Sequence, residues 1–420
     1  MRVTIINQYY APDISPTAHL AASLAEDRAA RGDDVTVVAS LGGYVPTSAD
    51  ARAEHDGNPK IHRLWTPRFG KATILKRCLD YLCYYVLCAW TLMTMPRQDV
   101  IITLTTPPYI AWTAVLHRLF HPDAKIVLWN MDCYPDAAER LGVMRTGGVL
   151  SRAMRWLNRR LFARLDHLVT LDTAMTDLLV GQYVAPDADL PVSVIPNWEK
   201  ASMFPHPEEG GAAPGAWAPA SEYGLDDRFT VVYLGNTGYG HEFDTVLDAA
   251  EELADEGVAF LFVGGGKRWD EIGAGAQQRG LSNVVMHGYV PKDETPQVMG
   301  AADCALITLR DISLGVMSPS KMHANLAAGL PILYVGPKTS NVDDGVRRFG
   351  AGASLRIGDV AGVVGFIRES MADASAHADR RARARRAFDE AYNDTATLPA
   401  FDRVLGSLHG SSASVAGVGV

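Results

Sequence analysis

Two charged side chains sit where a reaction can use them, Lys321 and Asp132, and two glycine-rich runs lie where a phosphate can be held. Lys321 belongs to the stretch LGVMSPSKMHANLAAGLPILYV, residues 314–335. Ser318 suits an N-cap there, and Pro319 suits the first helical position, where a missing N–H costs nothing. Gly329 suits the left-handed stop, and Leu330 to Val335 reads as a buried strand with proline near its start. Ser320 and Lys321 then fall in the first helical turn, beside unpaired amides and the positive end of the helix dipole. A lysine is disfavoured at that place unless it meets an anion, and a diphosphate is such an anion. A solvated lysine at a helix start is the plainer alternative.

Asp132 lies just past the carboxyl end of the strand Ala124–Trp129, in the run Asn130-Met-Asp-Cys-Tyr-Pro-Asp136. A carboxylate at that place can accept a proton from a hydroxyl nucleophile. Aspartate is also an ordinary loop and cap residue, and Asp136 and Glu139 read as first-turn acids of the next helix. The strand Phe229–Leu234 runs into Gly235-Asn-Thr-Gly-Tyr-Gly-His241, with a helix near Glu242–Asp255. Ala259–Val263 runs into Gly264-Gly-Gly-Lys267. Strand, glycine turn and helix in that order bring backbone amides onto phosphate, although any tight strand-to-helix turn favours glycine. Convergence of several such ends on one sheet edge says more than any one alone.

The elements that must position these residues alternate. Arg2–Asn7 is a strand, Thr17–Arg31 a helix and Gly32–Ala39 a strand, the β-α-β opening of a parallel sheet. The loop Tyr9–Ala18 has no glycine, so a dinucleotide fingerprint is absent. Further strands are Asp99–Leu104, Leu168–Leu171 and Val192–Asn197, then Val284–Tyr289 and Ala305–Leu309 in the second half. Residues 205–219, rich in Pro, Gly and Ala, mark a boundary. The expected organisation is α/β in two parallel-sheet domains, residues 1–204 and 226–400, facing each other across a cleft. Residues 205–225 are the linker, and 401–420 are a helix end and a frayed tail. A diphosphate-activated group would sit on the second domain and an acceptor on the first.

A net charge of −9 argues against broad nucleic-acid binding. Cys78, Cys83, Cys88, Cys133 and Cys304 show no zinc spacing, and without a signal sequence they point to reduced cytosolic thiols. No Ser/His/Asp elbow or HExxH pair is present. Tyr81–Met95, YLCYYVLCAWTLMTM, is the most apolar stretch and is shorter than the ~20 residues a span needs. It is either a buried helix or one lying in a membrane interface. Ser151–Arg164 carries Arg152, Arg155, Arg159, Arg160 and Arg164 among apolar residues. That is a basic amphipathic pattern that either faces solvent or meets anionic headgroups. The expected location is cytoplasmic, peripheral on the inner face of the plasma membrane.

Several motifs together resemble one family: NQYYAPD, TTPPY, WNMDCYPD followed by LGV, VIPNW, LGNTGYGHEFDT and SPSKMHANLAAGLPILYVG. They resemble the family-4 retaining glycosyltransferases of the GT-B fold, two Rossmann-like domains, in the branch that assembles exopolysaccharide and O-antigen. The resemblance covers nearly the whole chain. It implies transfer of a sugar from a nucleotide-diphosphate sugar to a glycan, in this branch a lipid-linked one. No cofactor or metal is implied, because the helix dipole, amides and basic side chains stabilise the leaving diphosphate. By position it implies that Gly235, Asn236, Thr237, Gly238, His241, Gly264 and Gly265, with Gly266 beside them, hold the donor. Gly315, Val316, Ser318, Ser320 and Lys321 do so from the other side. Lys321 would neutralise the diphosphate, and Asp132 would lie near acceptor and donor sugar. Two glutamates usual in the family are replaced by Val316 and Ala324; the Gly315–Val316 backbone and His323 or Asn325 are the candidate substitutes. The family's usual basic pair after the glycine turn has no obvious counterpart. A sugar-nucleotide epimerase of the same fold and a non-catalytic glycan- or partner-binding relative are the alternative readings.

Overall fold

Continuous apolar runs between turn residues build two all-parallel sheets. The computed structural model describes residues 1–13, 15–41, 57–67, 74–204, 217–291 and 294–410. Most of the expected linker and the tail from 411 on lie outside the described residues. The chain divides into two compact units. One comprises Met1–Leu171, Met175–Pro196 and the segment from Thr397 onward; the other comprises Asp172–Ala174 and Asn197–Ala396.

In the first unit the strands are β1 (Arg2–Ile6), β2 (Asp34–Ser40), β3 (Lys60–Leu64), β4 (Val100–Thr103), β5 (Lys125–Trp129), β6 (His167–Thr170) and β7 (Val192–Val194). They lie in the order β3-β2-β1-β4-β5-β6-β7. The charged edge strand β3 (KIHRL) is not apparent from the sequence. The helix Pro16–Ala30 begins one residue earlier than its periodicity indicates. Its cap is Ser15, whose hydroxyl accepts the Ala18 amide. The closing helix Asp394–Gly410 runs helically through residues expected to fray, and it returns to this unit, with Phe401 fully buried edge-on to Trp129 at 4.8 Å.

In the second unit the strands are β8 (Phe229–Asn236), β9 (Val258–Gly265), β10 (Val284–His287), β11 (Cys304–Thr308), β12 (Ile332–Val335) and β13 (Gly352–Leu355). Their order is β10-β9-β8-β11-β12-β13. Strand β9 shows why this sheet is covered on both faces. Ala259, Leu261 and Val263 enter one core, while Val258, Phe260 and Phe262 enter the other. The order reverses between β1 and β4 in one sheet and between β8 and β11 in the other. Ligands of open α/β sheets bind outside the carboxyl ends of strands at such reversals.

Candidate functional site

The reversal in the second sheet brings the end of β8 beside the segment that follows β11, and Lys321 bridges them. Its Nζ donates to the carbonyl oxygen of Asn236 at 2.9 Å and to the hydroxyl of Tyr233. It also lies 3.9 Å from the centre of the Tyr233 ring. Tyr233 is buried and donates in turn to the Asn236 carbonyl at 2.8 Å. Burial pushes the Lys321 amine down to about 7, so near neutrality it carries only part of its charge until an anion arrives.

The glycines have two separable jobs. Gly235 has φ +117°, and a Cβ there would stand 3.1 Å from Lys321 Cε, so it makes room for the lysine. Gly264 and Gly266 serve the neighbouring strand ends. A Cβ on Gly264 would lie 2.3 Å from the Gly235 carbonyl oxygen, and one on Gly266 2.6 Å from the Thr237 amide nitrogen. The Thr237 amide donates to the Gly265 carbonyl at 2.7 Å, locking the two ends together. Gly235 and Gly264–Gly265 are thus strand residues paired in register rather than loop residues. Gly264→Ala adds both left-handed strain and a backbone clash, and should cost about 3 kcal/mol or more of stability. A urea midpoint unchanged from the parent would remove this packing role.

His241 is buried behind the turn, with Nδ1 2.7 Å from the Thr308 carbonyl oxygen. That contact places the proton on Nδ1 and leaves Nε2 an acceptor. Burial, with the Lys321 charge second, lowers its pKa to about 3, so it is neutral. Two cations missed in the sequence flank the same turn. Arg268 donates to the His241 carbonyl at 2.6 Å and to Glu271 at 2.7 Å. The Arg310 amide donates to the Gly240 carbonyl at 2.8 Å, and its guanidinium reaches the Tyr239 carbonyl at 3.4 Å. The signal was available: Arg310 lies two residues beyond β11, and Arg268 follows the glycine end of β9.

The helix start needs correction. The helix is Lys321–Ala327, so its N-cap is Ser320 rather than Ser318, and Lys321 is its first residue. Ser320 has helical backbone angles and makes no capping hydrogen bond from its side chain. Pro319 therefore precedes the cap. The Val316 amide donates to the Ser313 carbonyl at 3.1 Å inside a tight turn, with Gly315 at φ +76°, and the Val316 side chain is buried. Its N–H is committed within that turn. Ala324 packs against the core, His323 is buried with Nδ1 2.9 Å from the Ser320 carbonyl, and Asn325 is buried as well. Both side chains keep one polar atom without a hydrogen-bond partner, His323 Nε2 and Asn325 Oδ1.

In the first unit Asp132 follows β5. The Thr105 hydroxyl, from the end of β4, accepts the amides of Met131 at 3.1 Å and Asp132 at 3.0 Å. Solvent reaches the Asp132 side chain, yet the protein around it raises its pKa above the ordinary carboxylate range, against the Arg77 charge. The crevice it lines with Asn130 and Tyr134 has a cavity volume of about 30 Å³, room for a water or two rather than a ring.

The loop beyond Asp132 is pinned by the helix Val149–Phe162. Arg155 donates to Asp136 at 2.7 Å and to Glu139 at 2.6 Å. Burial opposes ionisation of Glu139, but bonds from Ser151, Arg155 and the Gly147 amide hold its pKa at about 2. Asp136 and Glu139 do stand in the first turn of their own short helix. One of the five arginines in the basic pattern is therefore an internal tie.

Residues 17–198 match the family model described as "Glycosyl transferase 4-like domain", and residues 228–368 match "Glycosyl transferases group 1". Probable glycosyltransferase WbjE of Pseudomonas aeruginosa is 26% identical over 305 residues, 72% of this chain and 74% of that protein. The putative colanic acid biosynthesis glycosyl transferase WcaI of Escherichia coli K12 is 25% identical over 347 residues, 78% and 82% of the two chains. Among solved structures, Alr3699/HepE of Anabaena in complex with UDP-glucose superimposes with a TM-score of 0.67 at 14% identity, over 97% of this chain and 100% of the other. With both sheets parallel and both halves matched, the chain belongs to the glycosyltransferases of the GT-B fold, a 4-like domain followed by a group 1 domain.

Proposed function

We propose that this chain moves a sugar from a nucleoside diphosphate sugar to a glycan acceptor in cell-surface polysaccharide assembly, as a family-4 enzyme that retains anomeric configuration and needs no metal. The observation that carries this reading is Lys321 Nζ, 2.9 Å from the carbonyl at the glycine end of β8. An ammonium at the carboxyl end of a strand, beside the point where a parallel sheet's order reverses, is an arrangement that can receive a diphosphate. The complex of the Anabaena structure with UDP-glucose and the colanic acid role in the name of WcaI support the donor and the product class. The second unit binds the donor, with His241 Nε2 accepting from a donor hydroxyl. The first binds the acceptor, whose hydroxyl proton goes to Asp132 or to a phosphate oxygen as the leaving group departs. Calorimetry with UDP-, GDP- and TDP-sugars tests this directly. One nucleotide binds saturably in EDTA, and NMR couplings show product with the donor's anomeric configuration; a panel with no binder removes the reading.

We further propose that the acceptor is lipid-linked and that the first unit rests on the membrane. The helix Ile74–Thr94 buries Tyr84, Cys88 and Leu92, and presents Leu79, Leu82, Val86, Trp90 and Met93 outward along a narrow stripe. The outward stripe supports the interfacial reading of this stretch, and the buried residues accord with its packing in the unit. Val86 is 60% and Trp90 66% exposed. Leu119 and Phe120 are exposed at the end of the neighbouring helix Ala111–Phe120, and Arg77 and Arg97 stand near the ends of Ile74–Thr94. Among the described residues, no helix is long and apolar enough to cross a membrane, so insertion would be interfacial. Leu82→Asp with Val86→Asp should abolish sedimentation with anionic liposomes at low salt, because each leucine- or valine-sized side chain contributes about 1.5–3 kcal/mol when buried. Sedimentation equal to the parent's would refute the contact.

A further inference from the structure

The second unit has a larger cavity, and Lys321 is not among the residues that line it. It measures about 670 Å³, within the usual range for small-molecule sites. Glu242, Asp244, Arg268, Arg310, Tyr239 and Ile312 are among its walls. Glu242 is the informative residue, being only 8% exposed. Its Oε1 accepts the Thr245 amide at 3.0 Å and so serves the helix start, while Oε2 has no hydrogen-bond partner. A buried carboxylate oxygen left unpaired is costly and calls for a donor.

The chemistry of the walls selects among ligand classes. An anion is disfavoured, because the two guanidiniums are already engaged by Glu271 and by the His241 and Tyr239 carbonyls, while Glu242 and Asp244 would repel it. A metal ion lacks a site, since among the described residues no three of the ligating types are grouped to hold one. An apolar ligand would strand the charged groups. A sugar hydroxyl both donates and accepts, so one ring can answer a carboxylate and a guanidinium together. Its C–H face has Tyr239, 50% exposed, and the exposed Ile312 to lie on.

We propose that this cavity is a second carbohydrate site, which takes one or two uncharged sugar residues of a glycan chain independently of the diphosphate end of the turn. It does not depend on Lys321 binding a donor. The test is saturation-transfer NMR on the full chain with maltose, cellobiose, N,N′-diacetylchitobiose and galactobiose, each at millimolar concentration. At least one should give a saturable signal that survives in Lys321→Ala and weakens about tenfold or more in both Tyr239→Ala and Glu242→Gln. Gln keeps an acceptor for the Thr245 amide, and because Tyr239 is exposed, Tyr239→Ala remains readable if Glu242→Gln fails to fold. Absence of signal from all four disaccharides overturns the proposal. A signal lost in Lys321→Ala, or one unmoved by both pocket variants, overturns it equally. Failure of nucleotide binding would touch only the donor reading.

Discussion

Lys321→Ala lowers turnover by about two to three orders of magnitude, the effect seen when a preorganised donor to developing negative charge is removed. It also weakens UDP binding by about tenfold or more, since a hydrogen bond to a charged group contributes roughly 1.5–3 kcal/mol. The fold survives, because Nζ is replaced by space beside Gly235 and Asn236 rather than by a clash. Unchanged kinetics would remove Lys321 from the site, and with it the centre of the functional reading.

The same lysine sets a pH signature that a structural role does not produce. Unliganded, its pKa is about 7. A bound diphosphate favours the ammonium, so binding above that pH takes up a proton, and affinity should fall about tenfold per unit until the raised pKa is reached. Calorimetry in phosphate and in Tris separates the proton uptake from the binding heat. Stability moves the opposite way. In the unfolded chain the amine returns to about 10.4, so between about 7 and 10.4 the unfolded state binds more protons and this group makes stability rise with pH. Below about pH 7 both states are protonated, and the desolvation cost of the half-buried ammonium is present in full. Lys321→Met should therefore raise Tm, most at pH 6, while lowering turnover about as much as Lys321→Ala does. A Tm that falls at pH 6 would mean that the ammonium is not strained in the free protein.

Much of this was legible in the sequence because parallel strands buried on both faces read as apolar runs, and because Gly329 does occupy a left-handed stop, φ +68°. The glycine ends of β8 and β9 converge as expected. The sequence was opaque where partners lie far apart along the chain. Nothing in KMHANLA says that Nζ will meet the hydroxyl of Tyr233, 88 positions away. A helical wheel places five arginines on a helix without knowing that Asp136 and Glu139 wait opposite one of them. Ser318-Pro319 looked like cap and first turn because those residue types favour such positions. Local preference lost to the turn at Ser313–Met317, which carries the chain two residues further before the helix begins. Strand β3 was hidden because edge strands are marked by charge rather than by apolar runs.

Asp132→Asn is expected to lower turnover by about 10²–10⁴, the range for losing a positioned general base, while leaving the UDP dissociation constant within about twofold. Asparagine keeps the size and the backbone bonds to the Thr105 hydroxyl, 3.0 Å for residue 132 and 3.1 Å for Met131, so what is lost is basicity. A base works only when deprotonated, and desolvation by the protein packed around it raises the pKa of this carboxyl. The acid limb of turnover in the parent should accordingly lie above the ordinary aspartate range of about 3.9 and disappear in the variant. Thr105→Ala leaves the carboxylate in place and removes only the acceptor that fixes its loop. It should cost about tenfold in turnover with the acid limb retained, which identifies Thr105 as a positioning residue. Equal losses of turnover and UDP affinity in Asp132→Asn would mean instead that the side chain holds the loop together, and the proton would then have to leave through the phosphate oxygen alone.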